Sequence, residues 1–246
     1  MMTKAQLKLF QSFAQQKYRK EHNVYVVEGD KNAVEWINMN APILKVVATK
    51  EWLIANSELV WNKSFEVIEA EVFEMEKITL LTNPSPVYVL VEMPNKKEEI
   101  FLPENEWVLC LDQIRDPGNM GTLIRTADWF GIKTIICSEG TVDAYSPKVV
   151  QASMGSLLRV KILTKNLHTY FEENKQPVYI THLKGENIHG LKDIQPGVIV
   201  MGNESKGVAE DLLKYAHQKV FIPRFGGAES LNVAVAAGIV CSHLIH

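Results

Sequence analysis

The chain has 246 residues, 46% of them hydrophobic and 22% charged, with a formal net charge of −3. These values suit a globular protein with a sizeable core, and they exclude a whole-molecule positive field of the kind that steers nucleic acid. No apolar run approaches the roughly 18 residues that span a membrane. The polar, helix-like start, MMTKAQLKLFQSFAQQKYRK, lacks the apolar stretch of a signal peptide, so a cytoplasmic protein with no membrane partner is expected. Cys110, Cys137 and Cys241 are far apart, with no C-x-x-C and no His/Cys spacing. Cys110 and Cys137 lie in apolar, strand-like runs and read as buried thiols, a reducing compartment follows, and no metal site is expected.

In chain order, Leu7, Phe10, Ala14 and Tyr18 recur at helical spacing and predict an opening amphipathic helix. Its basic residues, Lys4, Lys8, Lys17, Arg19 and Lys20, come with no acid before residue 21, which fits either a solvated face or a local basic patch. A strand is predicted at 24–29 (VYVVEG), a helix at 31–39, a strand at 43–49, a short strand at 65–69, a helix at 71–80 and a strand at 86–94. This alternation predicts a small α/β domain over 1–95. The charged stretch NKKEEIFLPENE then reads as a linker, 96–106.

A second alternation occupies 107–246. Strands are predicted at 107–112, 133–138, 157–163, 177–183, 197–202 and 219–223, with helices between them and an apolar last helix from Leu231 to His243. Near-continuous apolar strands separated by helices predict a parallel sheet covered on both faces.

Three segments at strand ends are rich in Gly, Asn and small polar residues. The first, DQIRDPGNMGTLIRTADWFG (112–131), has glycines before a helix whose N-terminal amides could hold an anion, with Arg125 one to two turns in. It is neither a G-x-G-x-x-G fingerprint nor a Walker loop. The second, MGNESKGV (201–208), sets Glu204 before a helix start, where the helix dipole favours a carboxylate. The third, IPRFGGAESLNVAVAAG (222–238), has Ser230 in position to cap a helix starting near Leu231. Each segment alone also fits a plain capping turn.

In this order the three segments resemble the motifs of the SpoU/TrmH family of SPOUT methyltransferases. The matches are N-x-G-x-x-x-R-T-A at Asn119, Gly121, Arg125, Thr126 and Ala127, G-x-E-x-x-G at Gly202, Glu204 and Gly207, and I-P-x-x-G-x-x-x-S-L-N-V from Ile222 to Val233. The resemblance implies a small α/β RNA-binding N-terminal domain and a parallel-sheet SPOUT domain with a C-terminal trefoil knot. It also implies transfer of a methyl group from S-adenosyl-L-methionine to a ribose 2′-hydroxyl of structured RNA, with rRNA favoured over tRNA, by a homodimer that uses no metal. Carried over residue by residue, the cofactor pocket would use Thr181, Leu183, Gly185, Met201, Gly202, Ile222, Ser230 and Leu231. Arg125 would be the central catalytic residue, supported by Asn119, Glu204, Ser230 and Asn232. A guanidinium titrates above about 12, so Arg125 is assigned to binding a phosphate and polarising the hydroxyl. Arg224 departs from the pattern, standing where the family is expected to have an apolar residue. RNA contacts are expected from Lys17, Arg19, Lys20, Arg115, Arg125, Lys206 and Arg224. The alternative from another class is a non-catalytic RNA-binding protein on the same fold, which would be expected to lose Arg125, Asn119 or Asn232.

Overall fold

The computed structural model describes residues 1–61, 63–94 and 105–245, so most of the expected linker lies outside the described residues. The chain forms two compact units. Elements are numbered in chain order.

The first unit draws on Met1–Glu98 and Asp143–Leu158. Its sheet runs β1 (Val24–Glu28), β4 (Val87–Glu92), β2 (Ile43–Ala48), β3 (Glu66–Glu69). Strand β4 is antiparallel to both neighbours, and β2 and β3 are parallel. Around it lie α1 (Lys4–Ser12), α2 (Gln16–His22), α3 (Asp30–Asn38), α4 (Lys50–Ala55), α5 (Ser57–Val60) and α6 (Val72–Ile78). Phe10 and Phe13 join Val24, Val26, Met75, Ile78 and Tyr88 in one core cluster.

The single opening helix expected from periodicity is two helices. Thr3 and Gln6 form a capping box that starts α1. The helix cannot run on, because the Arg19 guanidinium takes the carbonyls of Phe13 and Ala14 at 2.6 and 2.8 Å. In a continuous helix those carbonyls would accept the amides four residues on. The same guanidinium meets Asp143 at 2.6 Å. Arg19 is 2% exposed, so it is an internal tie and not part of a basic surface.

Segment 143–158 belongs to the first unit although in sequence it falls within the second alternation, and sequence reasoning did not place it there. It contains α8 (Pro147–Ser153) and a 3-10 turn, Met154–Leu158. Asn32 donates to Gln151 at 3.1 Å, and the Gly155 amide donates to Glu35 at 3.1 Å. A side chain on Gly155 would overlap the Glu35 carboxylate, which explains glycine there. The turn also shortens the strand expected at 157–163.

The second unit draws on Glu99–Val142 and Arg159–His246. Its strands are β5 (Val108–Leu111), β6 (Thr134–Cys137), β7 (Lys161–Thr164), β8 (Val178–Asn187), β9 (Val198–Met201) and β10 (Gln218–Phe221). They form an all-parallel sheet in the order β10-β8-β9-β5-β6-β7. Strands β5, β6 and β9 are buried at every position, as their unbroken apolar sequences predict. The helices are α7 (Pro117–Trp129), α9 (Leu167–Glu173) and α10 (Val233–Leu244). Between β9 and β10, where the alternation predicts a helix, Glu210–Tyr215 forms a 3-10 turn.

From β5 the chain proceeds to β6 and β7 on one side, whereas from β9 it proceeds to β10 on the other. The carboxyl ends of β5 and β9 therefore mark the topological switch point, where open parallel sheets form their ligand crevice. All three cysteines are free and buried. Burial pushes the Cys137 and Cys241 thiols up to about 12 and raises Cys110 as well, so all three stay as inert thiols. Among the described residues, no helix is long and apolar enough to cross a membrane.

Candidate active site

The first and second motif loops leave β5 and β9 side by side. The Asp112 amide donates to Met201 O at 2.9 Å, and its buried carboxylate accepts the Ala209 amide at 3.0 Å. Asp116 is the N-cap of α7 and accepts the Asn119 amide at 2.8 Å, with Pro117 in the first turn. This D-P-x-N order is a helix-start signature that the sequence reading could have used.

Three side chains, one from each motif, form a directional chain. Asn232 caps α10, its Oδ1 accepting the amides of Ala234 and Val235 at 2.9 and 3.3 Å. Its amide nitrogen must then face outward, and it donates to Asn119 Oδ1 at 2.9 Å. Asn119 in turn donates through Nδ2 to Glu204 Oε1 at 3.1 Å. Both amide orientations are thereby fixed by the network. Burial tends to raise the Glu204 carboxyl, but hydrogen bonds from Asn119 and from the amides of Glu204, Asp116 and Arg115 outweigh it and lower it below the usual range.

The cap of α10 is Asn232, so Ser230 does not hold the role expected for it, and the helix begins at Val233 and not near Leu231. The reason is reach. Asn232 directly precedes the first helical residue and its carbonyl meets two free amides. Ser230 is exposed, and its hydroxyl has no partner among the described residues. Arg125 stands on the exposed face of α7, one turn before Trp129, and makes no hydrogen bond or ion pair with the described residues. Arg115, Lys206 and Arg224 are exposed, and Arg224 folds back onto Ala228 O at 3.2 Å.

Of the residues assigned to a cofactor, Thr181, Leu183 and Gly185 lie in β8 beyond its pairing with β9, Met201 and Gly202 at the carboxyl end of β9, and Ile222, Ser230 and Leu231 in the segment after β10. Ile180 pairs with Val200, which puts Thr181 beside Met201. The Thr181 hydroxyl donates to Val200 O at 2.9 Å. Met201 is buried, its carbonyl is taken by Asp112, and its side chain belongs to the core. Strand β10 pairs with β8 at Ile180 and next at Glu186, so Thr181–Gly185 leaves the ladder. A side-chain carbon on Gly202 would lie 2.1 Å from the backbone of Gly207 and Val208, and one on Gly185 would lie 2.7–2.8 Å from that of Lys219 and Val220. Leu183 (78%), within β8, and Leu231 (50%), in the third motif, are exposed, with Ile222 half-buried. Close backbone approach with open apolar side chains fits an adenosyl group and a thioether. No cluster of three or more His, Cys, Asp or Glu able to hold a metal ion occurs among the described residues.

Residues 106–242 match the SpoU rRNA methylase family. The chain belongs to the SpoU rRNA methylase family. Ahead of the SpoU region, residues 4–88 match the MRM3-like substrate binding domain. Among curated relatives, the 23S rRNA (guanosine(2553)-2′-O)-methyltransferase RlmP of Bacillus subtilis is 32% identical over 93% of this chain and 91% of its own. An AdoMet-bound rRNA methyltransferase from Sinorhizobium meliloti superposes with a TM-score of 0.87 at 30% identity, covering 99% of this chain and 95% of that one. A TrmH-family protein from Porphyromonas gingivalis gives 0.86 at 34% identity, with 99% and 98% covered. The SpoU match includes 143–158, which packs in the first unit.

Proposed function

We propose that this SpoU-family chain transfers the methyl group of S-adenosylmethionine to a ribose 2′-hydroxyl of ribosomal RNA. The observation that carries this reading is the Asn232–Asn119–Glu204 chain, which joins all three motifs at the switch point of the sheet. The relatives support the substrate, since RlmP of B. subtilis is named as a 23S rRNA 2′-O-methyltransferase and the S. meliloti structure holds AdoMet. Family membership implies the trefoil knot in the C-terminal part of the sheet.

The cofactor supplies an electrophilic methyl group. Thr181, Leu183, Gly185, Gly202, Ile222, Ser230 and Leu231, with the Met201 backbone, would hold it. Arg125 has an uncommitted guanidinium, which suits it to grip the phosphate beside the target ribose and polarise the hydroxyl. Asn119, Glu204 and Asn232 keep the loops in register with that group, and Ser230 is free to meet cofactor or RNA. Exposed Lys17, Lys20, Arg115, Lys206 and Arg224 would supply phosphate contacts, which position RNA without reading sequence. The functional domains are 1–95 for RNA and 107–246 for transfer, joined by 96–106. The side of α10 with exposed Val235 and Ile239 and half-buried Gly238 would be covered by a second copy in a homodimer, which light scattering tests. Three free buried thiols suit a cytoplasmic location.

The deciding experiment incubates labelled S-adenosylmethionine with ribosomal RNA and wild-type or R125A protein, then digests to nucleosides. A labelled 2′-O-methylnucleoside that disappears with R125A is expected. Labelled base would overturn the ribose assignment. RNA binding without transfer to any RNA would favour the non-catalytic reading.

A further inference from the structure

Gln113 follows β5 directly and has φ +53°, in the left-handed region that a residue with a β-carbon rarely occupies. Both of its backbone groups are held by side chains from other loops. Its amide donates to Ser138 Oγ at 2.8 Å, and its carbonyl accepts Asn203 Nδ2 at 2.8 Å. Ser138 directly follows β6 and is itself anchored, its amide donating to Leu111 O at 2.9 Å. Asn203 is anchored at its other end, where Oδ1 accepts the amides of Ser205 and Lys206 at 3.0 and 3.2 Å. On either side of Gln113, Asp112 accepts Ala209 and Ile114 O accepts the Val142 amide at 2.8 Å.

We propose that Ser138 and Asn203 are positioning residues for methyl transfer, acting as a two-sided brace that holds Gln113 in its strained turn. The turn sends Ile114 into the core and brings the backbone amides of Arg115 and Asp116 to the Glu204 carboxylate. An extended Gln113 would withdraw those amides and shift Asp116, the cap of α7, together with Asn119. Strain of this kind persists only where its surroundings over-determine it, and here two side chains supply that determination. Neither residue touches the reacting atoms in this scheme, which rests on the methyltransferase reading above.

The test is a double-mutant cycle of N203A, S138A and Q113G, read by urea unfolding and by steady-state transfer. Each alanine variant is expected to lower kcat about tenfold, the scale of one hydrogen bond lost from a strained backbone, with KM for S-adenosylmethionine little changed. Glycine occupies the left-handed region without steric cost, so the penalty of N203A and of S138A, each measured relative to Q113G alone, should shrink to about two- to threefold. Asn203 Nδ2 also donates to Glu204 Oε2 at 3.3 Å, so an undiminished N203A penalty in the Q113G background would show that Asn203 acts through its own turn and Glu204 and not through Gln113, and would overturn the brace. Coupling in stability with unchanged kcat would overturn the positioning role while leaving the brace. If wild type transfers no methyl, the functional reading fails separately, and the stability cycle still decides whether the brace exists.

Discussion

Asn232→Asp separates the two jobs of Asn232 because an aspartate can do only one of them. Its carboxylate still accepts the amides of Ala234 and Val235, so α10 keeps its cap, and a negative charge at a helix N-terminus adds about 0.3–1 kcal/mol. What it cannot do is donate to Asn119 Oδ1. Rotating the Asn119 amide does not help, since its nitrogen would then leave Glu204 facing an oxygen. One carboxylate is left without its donor in either orientation, a loss of about 0.5–1.5 kcal/mol that nearly cancels the gain at the helix. The expected result is urea stability within about 1 kcal/mol of wild type, but a kcat lower by about ten- to a hundredfold, the scale for misplacing groups around a reacting centre. Asn232→Ala loses the cap as well and should cost about 1 kcal/mol of stability in addition. The pair is measured by urea titration and by transfer of labelled methyl to RNA. Full activity in N232D with impaired N232A would reduce Asn232 to a helix cap and refute the directional chain.

Other outcomes follow from the same geometry. The Glu204 carboxyl is lowered in the folded protein, so its contribution is fully present above the unfolded carboxylate pKa and is lost as pH falls through the lower folded value. The stability difference between wild type and E204A should therefore be flat from about pH 8 to 5 and vanish in stronger acid, as urea titrations across pH would show. Arg19→Met strands Asp143, the buried carbonyl of Phe13 and the part-buried carbonyl of Ala14, and should cost about 3–5 kcal/mol in urea unfolding. Because Arg19 is internal, any substitution there that still folds should leave the salt dependence of RNA binding unchanged, whereas K20A should reduce its slope. Gly202→Ala puts a carbon 2.1 Å from backbone atoms, so the second motif must shift, and calorimetry should show loss of S-adenosylmethionine binding.

Much of the second unit was legible because parallel strands buried on both faces carry their pattern openly. VLCL, TIIC and VIVM could hardly be anything else. The motif residues Asn119, Glu204 and Asn232 were also legible, through resemblance, but their mutual bonding was not. Residues 85 and 113 positions apart give no local sign of contact. Other features depend on tertiary partners. Arg19 resembles any basic residue of an exposed helix until Asp143, which is 124 positions away, neutralises it. The fate of 143–158 is similar, since its periodicity says helix and says nothing of which core receives it. Ser230 was assigned as the cap on residue type, a choice that Asn232 satisfies equally well and with better reach.

The gap in the β8–β10 ladder has a kinetic consequence. From Thr181 to Gly185 the backbone of β8 runs beside β10 without sharing its ladder, although Ile180 and Glu186 on either side are paired. Amides without ladder partners exchange with solvent far sooner than those of the core strands. Thr181, His182, Leu183 and Gly185 should therefore take up deuterium early within an otherwise protected strand, with Lys184 slower because its amide donates to His182 Nδ1 at 3.1 Å, and all should slow down when S-adenosylmethionine settles over them. Hydrogen exchange at this one stretch would then report occupancy of the pocket in the absence of RNA, and so time cofactor release independently of any transferred methyl.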